Sequence, residues 1–160
     1  MVVIAKRLVY DFTVETSVPP ESVLAAATDF TDRRPDLWPL ITRKNYRVYS
    51  TGDGTAEVDE GSAPAHHRIR YEWSGDTVRG VTIDASGVEP GSLWQLRARP
   101  REGGGSTIDV HMDFGFKGPM GLMARVMVAL RGREGTFRKW FLQTVDVLER
   151  DSAAPRPGAQ

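Results

Sequence analysis

The sequence predicts an α+β domain in which a curved antiparallel sheet of six to seven strands wraps around one long C-terminal helix. Between Pro119 and about residue 149, apolar residues recur at alternating steps of three and four, the spacing of one helix face. Upstream segments alternate with period two and are separated by Gly, Pro and Asp turns, which is typical of strands. At 1.5 Å per residue the helix would be roughly 45 Å long, so we expect it to lie along the sheet. The apolar helix positions are Met120, Met123, Met127, Leu130, Phe137, Phe141, Val145 and Leu148.

The N-terminal part predicts one strand followed by two short helices. Leu8, Tyr10, Phe12 and Val14 alternate with polar neighbours, as in a strand with one apolar face. The Pro-Pro pair at 19–20 suits a helix N-terminus, so we expect a short helix over 21–28. A second helical turn is predicted within 32–40.

The middle of the chain predicts the remaining strands. Segments 45–51 and 55–60 flank Gly-Asp-Gly, a strong hairpin signal. Further strands are expected near 68–74, 78–85, 93–99 and 108–116, the last being the clearest alternation in the chain. Gly118-Pro119 then begins the long helix, because proline suits the first helical turn.

Length and composition limit the organisation and the class of function. The 160 residues fit one domain over 1–150, and the apolar-poor tail 151–160 is expected to be disordered. There is no cysteine, which excludes disulfides and thiol catalysis. The 21 Lys and Arg balance the 21 Asp and Glu, so charge gives no indication of nucleic-acid binding. Without a signal peptide or an apolar run of membrane length, we expect a cytoplasmic monomer or homodimer with no integral membrane association.

Four short segments carry a family resemblance that spans nearly the whole chain. They are the stretch 14–24 (VETSVPPESVL), Ala-Thr-Asp-Phe at 27–30, Leu-Trp-Pro at 37–39 and Glu-Gly-Ser at 60–62. With the element order, they resemble the START-related superfamily, the helix-grip fold of polyketide cyclases, lipid-transfer domains and the major birch pollen allergen. Members of this superfamily include both binding proteins and enzymes, so the fold alone does not decide the function.

The resemblance implies a cavity between sheet and helix that holds a hydrophobic or aromatic small molecule, such as a polyketide, lipid or sterol-like compound. The alternative is a polyketide cyclase- or dehydrase-like enzyme acting in the same cavity, so enzymatic activity stays open. A third hypothesis is an interaction module using the basic side of the terminal helix. These side chains can also simply fill the core. The ligand-binding residues carried over by position are Tyr10, Phe12, Trp38, Val58, Tyr71, Trp73, Trp94, Leu96, Met112, Phe114, Met127 and Phe137, and Glu60 joins them because it shares the strand parity of Val58.

Glu134 is the candidate catalytic residue. It falls on the apolar stripe of the predicted helix between Leu130 and Phe137. A carboxylate facing a dry cavity would have a raised pKa and could act as an acid, a base or a hydrogen-bond anchor. The alternative is a solvated side chain, because Gly132 and Gly135 flank it and can bend or rotate the helix.

Other motifs do not indicate a metal, a cofactor or a nucleophile. His66 and His67 are adjacent, and neighbouring strand residues point to opposite faces, so the pair is poorly placed to chelate one ion. The glycine-rich segments 52–54 and 103–105 precede no helix and are interpreted as turns. The chain has no Gly-x-Ser-x-Gly motif. We therefore predict no metal site and no cofactor.

Overall fold

A computed structural model describes residues 7–61, 66–131 and 133–153, and it describes the side chains of these residues except at positions 131 and 133–136. Seven strands lie within the described residues. They are β1 (Arg7–Thr16), β2 (Arg47–Gly52), β3 (Thr55–Asp59), β4 (His67–Ser74), β5 (Thr77–Ala85), β6 (Leu93–Pro100) and β7 (Ser106–Gly115).

The strands form one open antiparallel sheet in the order β1-β7-β6-β5-β4-β3-β2. β1 returns to pair with β7 over its full length, from Arg7 opposite Gly115 to Thr16 opposite Ser106. The remaining strands follow one another as hairpins. Two of the turns have only two residues, and their glycines, Gly54 in the β2–β3 turn and Gly75 in the β4–β5 turn, have φ values of 75° and 58°, a conformation that suits glycine. The sheet confirms the predicted α+β architecture and places six of its strands in sequence order.

Two short helices connect β1 to β2. α1 (Pro20–Ala27) begins at the proline pair and buries Val23, Ala26 and Ala27. α2 (Arg34–Leu37) occupies only part of the predicted 32–40 segment and buries Leu37. The indole Nε1 of Trp38 donates to the carbonyl of Ala26 at 3.1 Å, which ties the end of α2 to α1. A 3-10 turn, Arg43–Asn45, leads into β2.

The C-terminal segment is helical over α3 (Gly118–Arg131) and α4 (Arg133–Ala153). This is the predicted long helix, and the helix extends to Ala153, three residues past the predicted end of the domain. Phe141, Val145 and Leu148 of α4 are buried against the sheet. Phe141 packs edge-on against Phe12 with ring centroids 5.7 Å apart. Thr16 Oγ1 donates to Glu149 Oε1 at 2.8 Å and anchors the far end of α4 to β1.

The predicted apolar stripe is wrong for most of α3. Met123 and Leu130 were expected to face the sheet, but they are 56% and 82% exposed. Val128 is buried instead, and it packs with Leu8 and Phe116 in a small cluster separate from the main core. Because α3 is rich in apolar residues, a spacing of three and four residues can be traced along two neighbouring faces of the helix. The face that contains Val128 is the one that packs against the sheet.

No helix of the described residues is long and apolar enough to cross a membrane.

Candidate ligand-binding cavity

A cavity of about 380 Å³ lies between the inner face of the sheet, α4 and the segment that follows α2. Its volume falls in the range of small-molecule sites. Aromatic and aliphatic side chains form most of the wall, and Trp38 and Trp94 contact each other with ring centroids 5.9 Å apart. The lining residues are Phe12, Arg34, Trp38, Leu40, Ile41, Glu60, Gly61, His67, Ile69, Trp94, Val110, Met112, Phe114, Met127, Phe137, Trp140, Phe141 and Thr144.

The structure brings most of the sequence-predicted ligand-binding residues to this wall. Strand alternation explains the placement, because inward positions of β1, β6 and β7 face the same space. The predicted residues that line the cavity are Phe12, Trp38, Glu60, Trp94, Met112, Phe114, Met127 and Phe137. Their role in binding a ligand stays a prediction.

Five predicted residues lie elsewhere. Val58, Tyr71 and Leu96 are inward as expected but fully buried in the core. Trp73 stacks on Phe30 with ring centroids 5.5 Å apart. The reason is that the segment between β1 and β2 covers this part of the sheet, so the cavity is confined to the other part. Tyr10 packs at the junction of the two hydrophobic clusters.

A buried ion pair, Arg34 with Glu60, forms the polar part of the wall. Arg34 Nε donates to Glu60 Oε2 at 2.7 Å, and the two side chains are 1% and 8% exposed. Arg34 Nη1 also donates to the carbonyl oxygens of Ala27 and Asp29 at 3.0 and 3.3 Å. Burial alone would lower the pKa of Arg34, but Glu60 and Tyr71 outweigh it and raise the pKa, so the guanidinium stays charged. Arg34 therefore fastens α2 to the sheet.

Tyr71 completes this network from β4. Its hydroxyl donates to Glu60 Oε1, and Trp94 Nε1 donates to the Tyr71 hydroxyl at 3.2 Å. Burial, reinforced by the Glu60 charge, raises the pKa of Tyr71 well above its ordinary value, so the phenol stays protonated at neutral pH. This hydrogen-bond network runs from Arg34 through Glu60 and Tyr71 to Trp94 and reaches from the end of β3 to β6. It fixes the orientation of the Trp94 indole in the cavity wall.

Gly80 makes the contact between Tyr71 and Trp94 possible. It lies on β5 directly between them, paired with Tyr71 on one side and Trp94 on the other. A Cβ at Gly80 would lie 2.8 Å from both Trp94 Nε1 and Tyr71 Cε1. Because Gly80 has no side chain, the Trp94 indole has room to reach the Tyr71 hydroxyl.

His67 is a second polar group of the wall, at the start of β4. Its Nε2 lies 2.7 Å from Thr82 Oγ1. Thr82 pairs with Ile69, the next inward residue of β4, so it is a diagonal neighbour of His67 on the same face. A β-bulge lies between the two pairs, because His67 pairs with Ala85 and two steps on β4 face three on β5. The amide of Glu60 donates to the His67 carbonyl at 2.8 Å, which places these two residues opposite each other on one face. Burial lowers the pKa of His67, so its imidazole is uncharged at neutral pH.

Sequence reasoning missed Arg34 and His67. The parity of β4 could have found His67, because it continues the inward series of Ile69 and Tyr71. Arg34 had no periodic signal, since it lies in a four-residue helix. The other lining residues outside the predicted set are Leu40, Ile41, Gly61, Ile69, Val110, Trp140, Phe141 and Thr144.

The candidate catalytic Glu134 has a side chain outside the described ones, although its backbone belongs to α4. Among the described residues, no three His, Asp or Glu side chains are grouped so that they could hold a metal ion.

Comparisons with known proteins agree on the architecture. An aromatase/cyclase from Streptomyces sp. R1128 superposes with a TM-score of 0.71 at 13% identity, covering 92% of this chain and 94% of that chain. A START superfamily protein from Mycobacterium smegmatis gives a TM-score of 0.68 at 13% identity, covering 90% and 98%. Norcoclaurine synthase from Thalictrum flavum, in complex with dopamine and hydroxybenzaldehyde, gives 0.66 at 11% identity, covering 93% and 90%.

This chain has the START-related, helix-grip fold. The superpositions cover almost all of it, including the sheet and the terminal helix that bound the cavity. No protein-family model matches the sequence, and no curated protein matches it significantly. At identities of 11 to 13% the likeness concerns the fold, so the function has to be argued from the cavity itself.

Proposed function

We propose that this helix-grip protein binds a hydrophobic or aromatic small molecule in the cavity between its sheet and α4. The single observation that carries the proposal is the cavity of about 380 Å³ with a mostly apolar wall. Neighbouring parts of the inner face are densely packed, with Val58, Tyr71 and Leu96 fully buried. The cavity therefore lies beside a closely packed part of the inner face.

The composition of the wall supports an aromatic or polycyclic occupant. Flat rings offer large rigid surfaces that stack or meet edge-to-face with an aromatic ligand. Met112 and Met127 add adaptable side chains. The solved norcoclaurine synthase holds dopamine and hydroxybenzaldehyde, which supports small aromatic molecules as ligands of this fold. Polyketides, sterol-like compounds and lipids have the apolar character that the wall requires.

An enzyme acting on a bound polyketide-like chain is the second candidate. The observation that favours it is the position of His67 and Glu60, two groups that can exchange protons, on one face of an apolar wall. A neutral imidazole is a suitable general acid or base near neutral pH. Similarity in fold to an aromatase/cyclase supports the same candidate. In that case the cavity would also position the reacting atoms of its ligand.

Titration with the neutral dye N-phenyl-1-naphthylamine tests the proposal. Trp38, Trp94 and Trp140 line the cavity, so a bound dye should quench their emission and gain fluorescence itself. We expect one saturable site. Val110→Phe places a larger side chain on the wall and should weaken the titration strongly, because Val110 lines the cavity from β7.

Val9→Phe is the matched control. It is the same substitution at a position on β1 that is 53% exposed. We expect Val9→Phe to bind the dye as the parent does. Equal binding by all three proteins would place the dye on the surface, and no saturable response in the folded parent would contradict the proposed function.

A further inference from the structure

The charges in the cavity wall cancel. Of the described lining side chains, Arg34 and Glu60 carry the formal charges, and they pair with each other at 2.7 Å. The imidazole of His67 is uncharged at neutral pH because burial lowers its pKa. A charged ligand group would thus lose its hydration in this site without meeting an unpaired opposite charge, which is unfavourable. The wall therefore favours a neutral ligand.

His67 offers a hydrogen bond that the protein does not use itself. A neutral imidazole has one N–H donor and one acceptor nitrogen. Nε2 is engaged with Thr82 Oγ1 at 2.7 Å, and Nδ1 has no hydrogen-bond partner among the described residues. Two indoles of the wall are already engaged, because Trp38 Nε1 donates to Ala26 and Trp94 Nε1 donates to Tyr71.

Two contacts fix the orientation of the His67 ring. Thr82, which pairs with Ile69 on the neighbouring strand, holds the ring from its Nε2 side. Phe114 meets the imidazole edge-to-face with ring centroids 6.5 Å apart and restricts it further. A ring held on two sides presents its remaining nitrogen in one orientation, which is what selective recognition of a single polar group requires.

We propose that the ligand is a neutral molecule with an apolar or aromatic body and one hydroxyl or carbonyl group, and that His67 Nδ1 forms a hydrogen bond with this group. The inference rests on the proposed function and specifies its ligand class. His67 selects the ligand, and Thr82 is a positioning residue for the imidazole ring. Arg34 and Glu60 hold the adjacent wall, and because they pair with each other they present no unpaired charge to the ligand.

Equilibrium dialysis with three matched compounds tests the proposal. Naphthalene, 2-naphthol and 2-naphthoate share one aromatic body and carry no polar group, a hydroxyl and a carboxylate. We expect the parent protein to bind 2-naphthol about fivefold more tightly than naphthalene, the effect of one neutral hydrogen bond. We expect 2-naphthoate to bind more weakly than naphthalene because its charge is unmatched in the wall.

Variants assign the preference to His67. His67→Leu should lose the preference for 2-naphthol over naphthalene, whereas His67→Gln should retain part of this preference through its amide. Thr82→Val removes the hydroxyl that holds Nε2 and should reduce the preference, so it also serves if His67→Leu does not fold. His66→Leu is the control, because His66 is the exposed neighbour on the opposite face.

The outcomes separate the two levels of the proposal. Loss of the preference for 2-naphthol over naphthalene in His67→Leu, with the preference unchanged in His66→Leu, supports the inference. An unchanged preference in His67→Leu, or tighter binding of 2-naphthoate than of 2-naphthol by the parent, overturns the inference and leaves the proposed function standing. Binding of none of the three compounds by the parent overturns both.

Discussion

Arg34 and Glu60 join the segment between β1 and β2 to the end of β3 through an ion pair that is almost completely removed from solvent, at 1% and 8% exposure. The pair lies against Tyr71, whose ring centroid is 5.0 Å from the guanidinium carbon. A buried pair of this kind adds little net stability compared with apolar residues of the same shape, but losing one partner leaves the other charge uncompensated. The pair therefore sets the position of α2 and of the cavity wall.

Removing one member of the pair should destabilise the protein strongly. We expect Arg34→Met and Glu60→Leu each to lower the free energy of unfolding by about 3–5 kcal/mol, and the double variant to recover most of the loss. Urea unfolding of the four proteins measures this. Arg97→Met, which breaks the exposed pair of Arg97 with Asp76, is the control and should change little because solvent screens it. If the losses in unfolding free energy of the two single variants add up in the double variant, the loss does not come from an uncompensated buried charge, and the prediction is wrong.

Tyr71→Phe should lower the free energy of unfolding at pH 7 by about 1–3 kcal/mol, since Glu60 loses a donor and Trp94 Nε1 loses its acceptor. The pKa of Tyr71 is raised in the folded protein, so the hydroxyl contributes its stability below the unfolded pKa of about 10. That contribution is lost as pH rises through the folded pKa. The difference between parent and Tyr71→Phe should therefore shrink in melts above pH 10, and a constant difference would contradict this account.

Gly80→Ala should displace the Trp94 indole in the cavity wall. The added Cβ would lie 2.8 Å from Trp94 Nε1, so the indole has to move. We expect a loss of about 1–3 kcal/mol in stability and a shifted tryptophan emission. Gly52→Ala is the control, because its Cβ would meet only the flexible Thr55 hydroxyl at 3.2 Å. An unchanged emission spectrum in Gly80→Ala would show that Trp94 does not depend on this space.

Glu134 stays a predicted catalytic or anchoring residue. If it faces the cavity, desolvation raises its folded pKa above the reference of about 4.3, and its charge opposes folding at neutral pH. Glu134→Gln would then be more stable than the parent at pH 7, and the difference would close as pH falls through the raised pKa. Thermal melts between pH 4 and 8 measure this. Parallel curves that differ by no more than about 0.5 kcal/mol would make Glu134 a solvated helix residue.

The sequence predicted the sheet well because strand alternation and turn residues are local signals. The inward positions of β1, β6 and β7 followed from parity, which is why Phe12, Trp94 and Met112 were placed correctly on the inner face. Parity does not tell which inward residues meet a cavity and which are covered. Tyr71 and Leu96 were assigned to the wall, but packing by the segment after β1 buries them.

The polar part of the wall depended on contacts between residues far apart in the chain. Arg34 and Glu60 are separated by 26 positions, and only the fold shows that they pair. His67 and Thr82 are 15 positions apart on two strands, and their contact depends on a register that the sequence does not reveal. On α3 the helix period was recognised, but an apolar-rich helix does not reveal which of its faces is covered, and Leu130 proved to be exposed.

Native mass spectrometry after equilibration with N-phenyl-1-naphthylamine tests the central claim, ligand binding in the cavity, most directly. We predict a single one-to-one adduct for the parent and for Val9→Phe, and its loss in Val110→Phe, since only the last substitution fills the cavity. No adduct on the folded parent, or the same series of adducts on all three proteins, would contradict the claim.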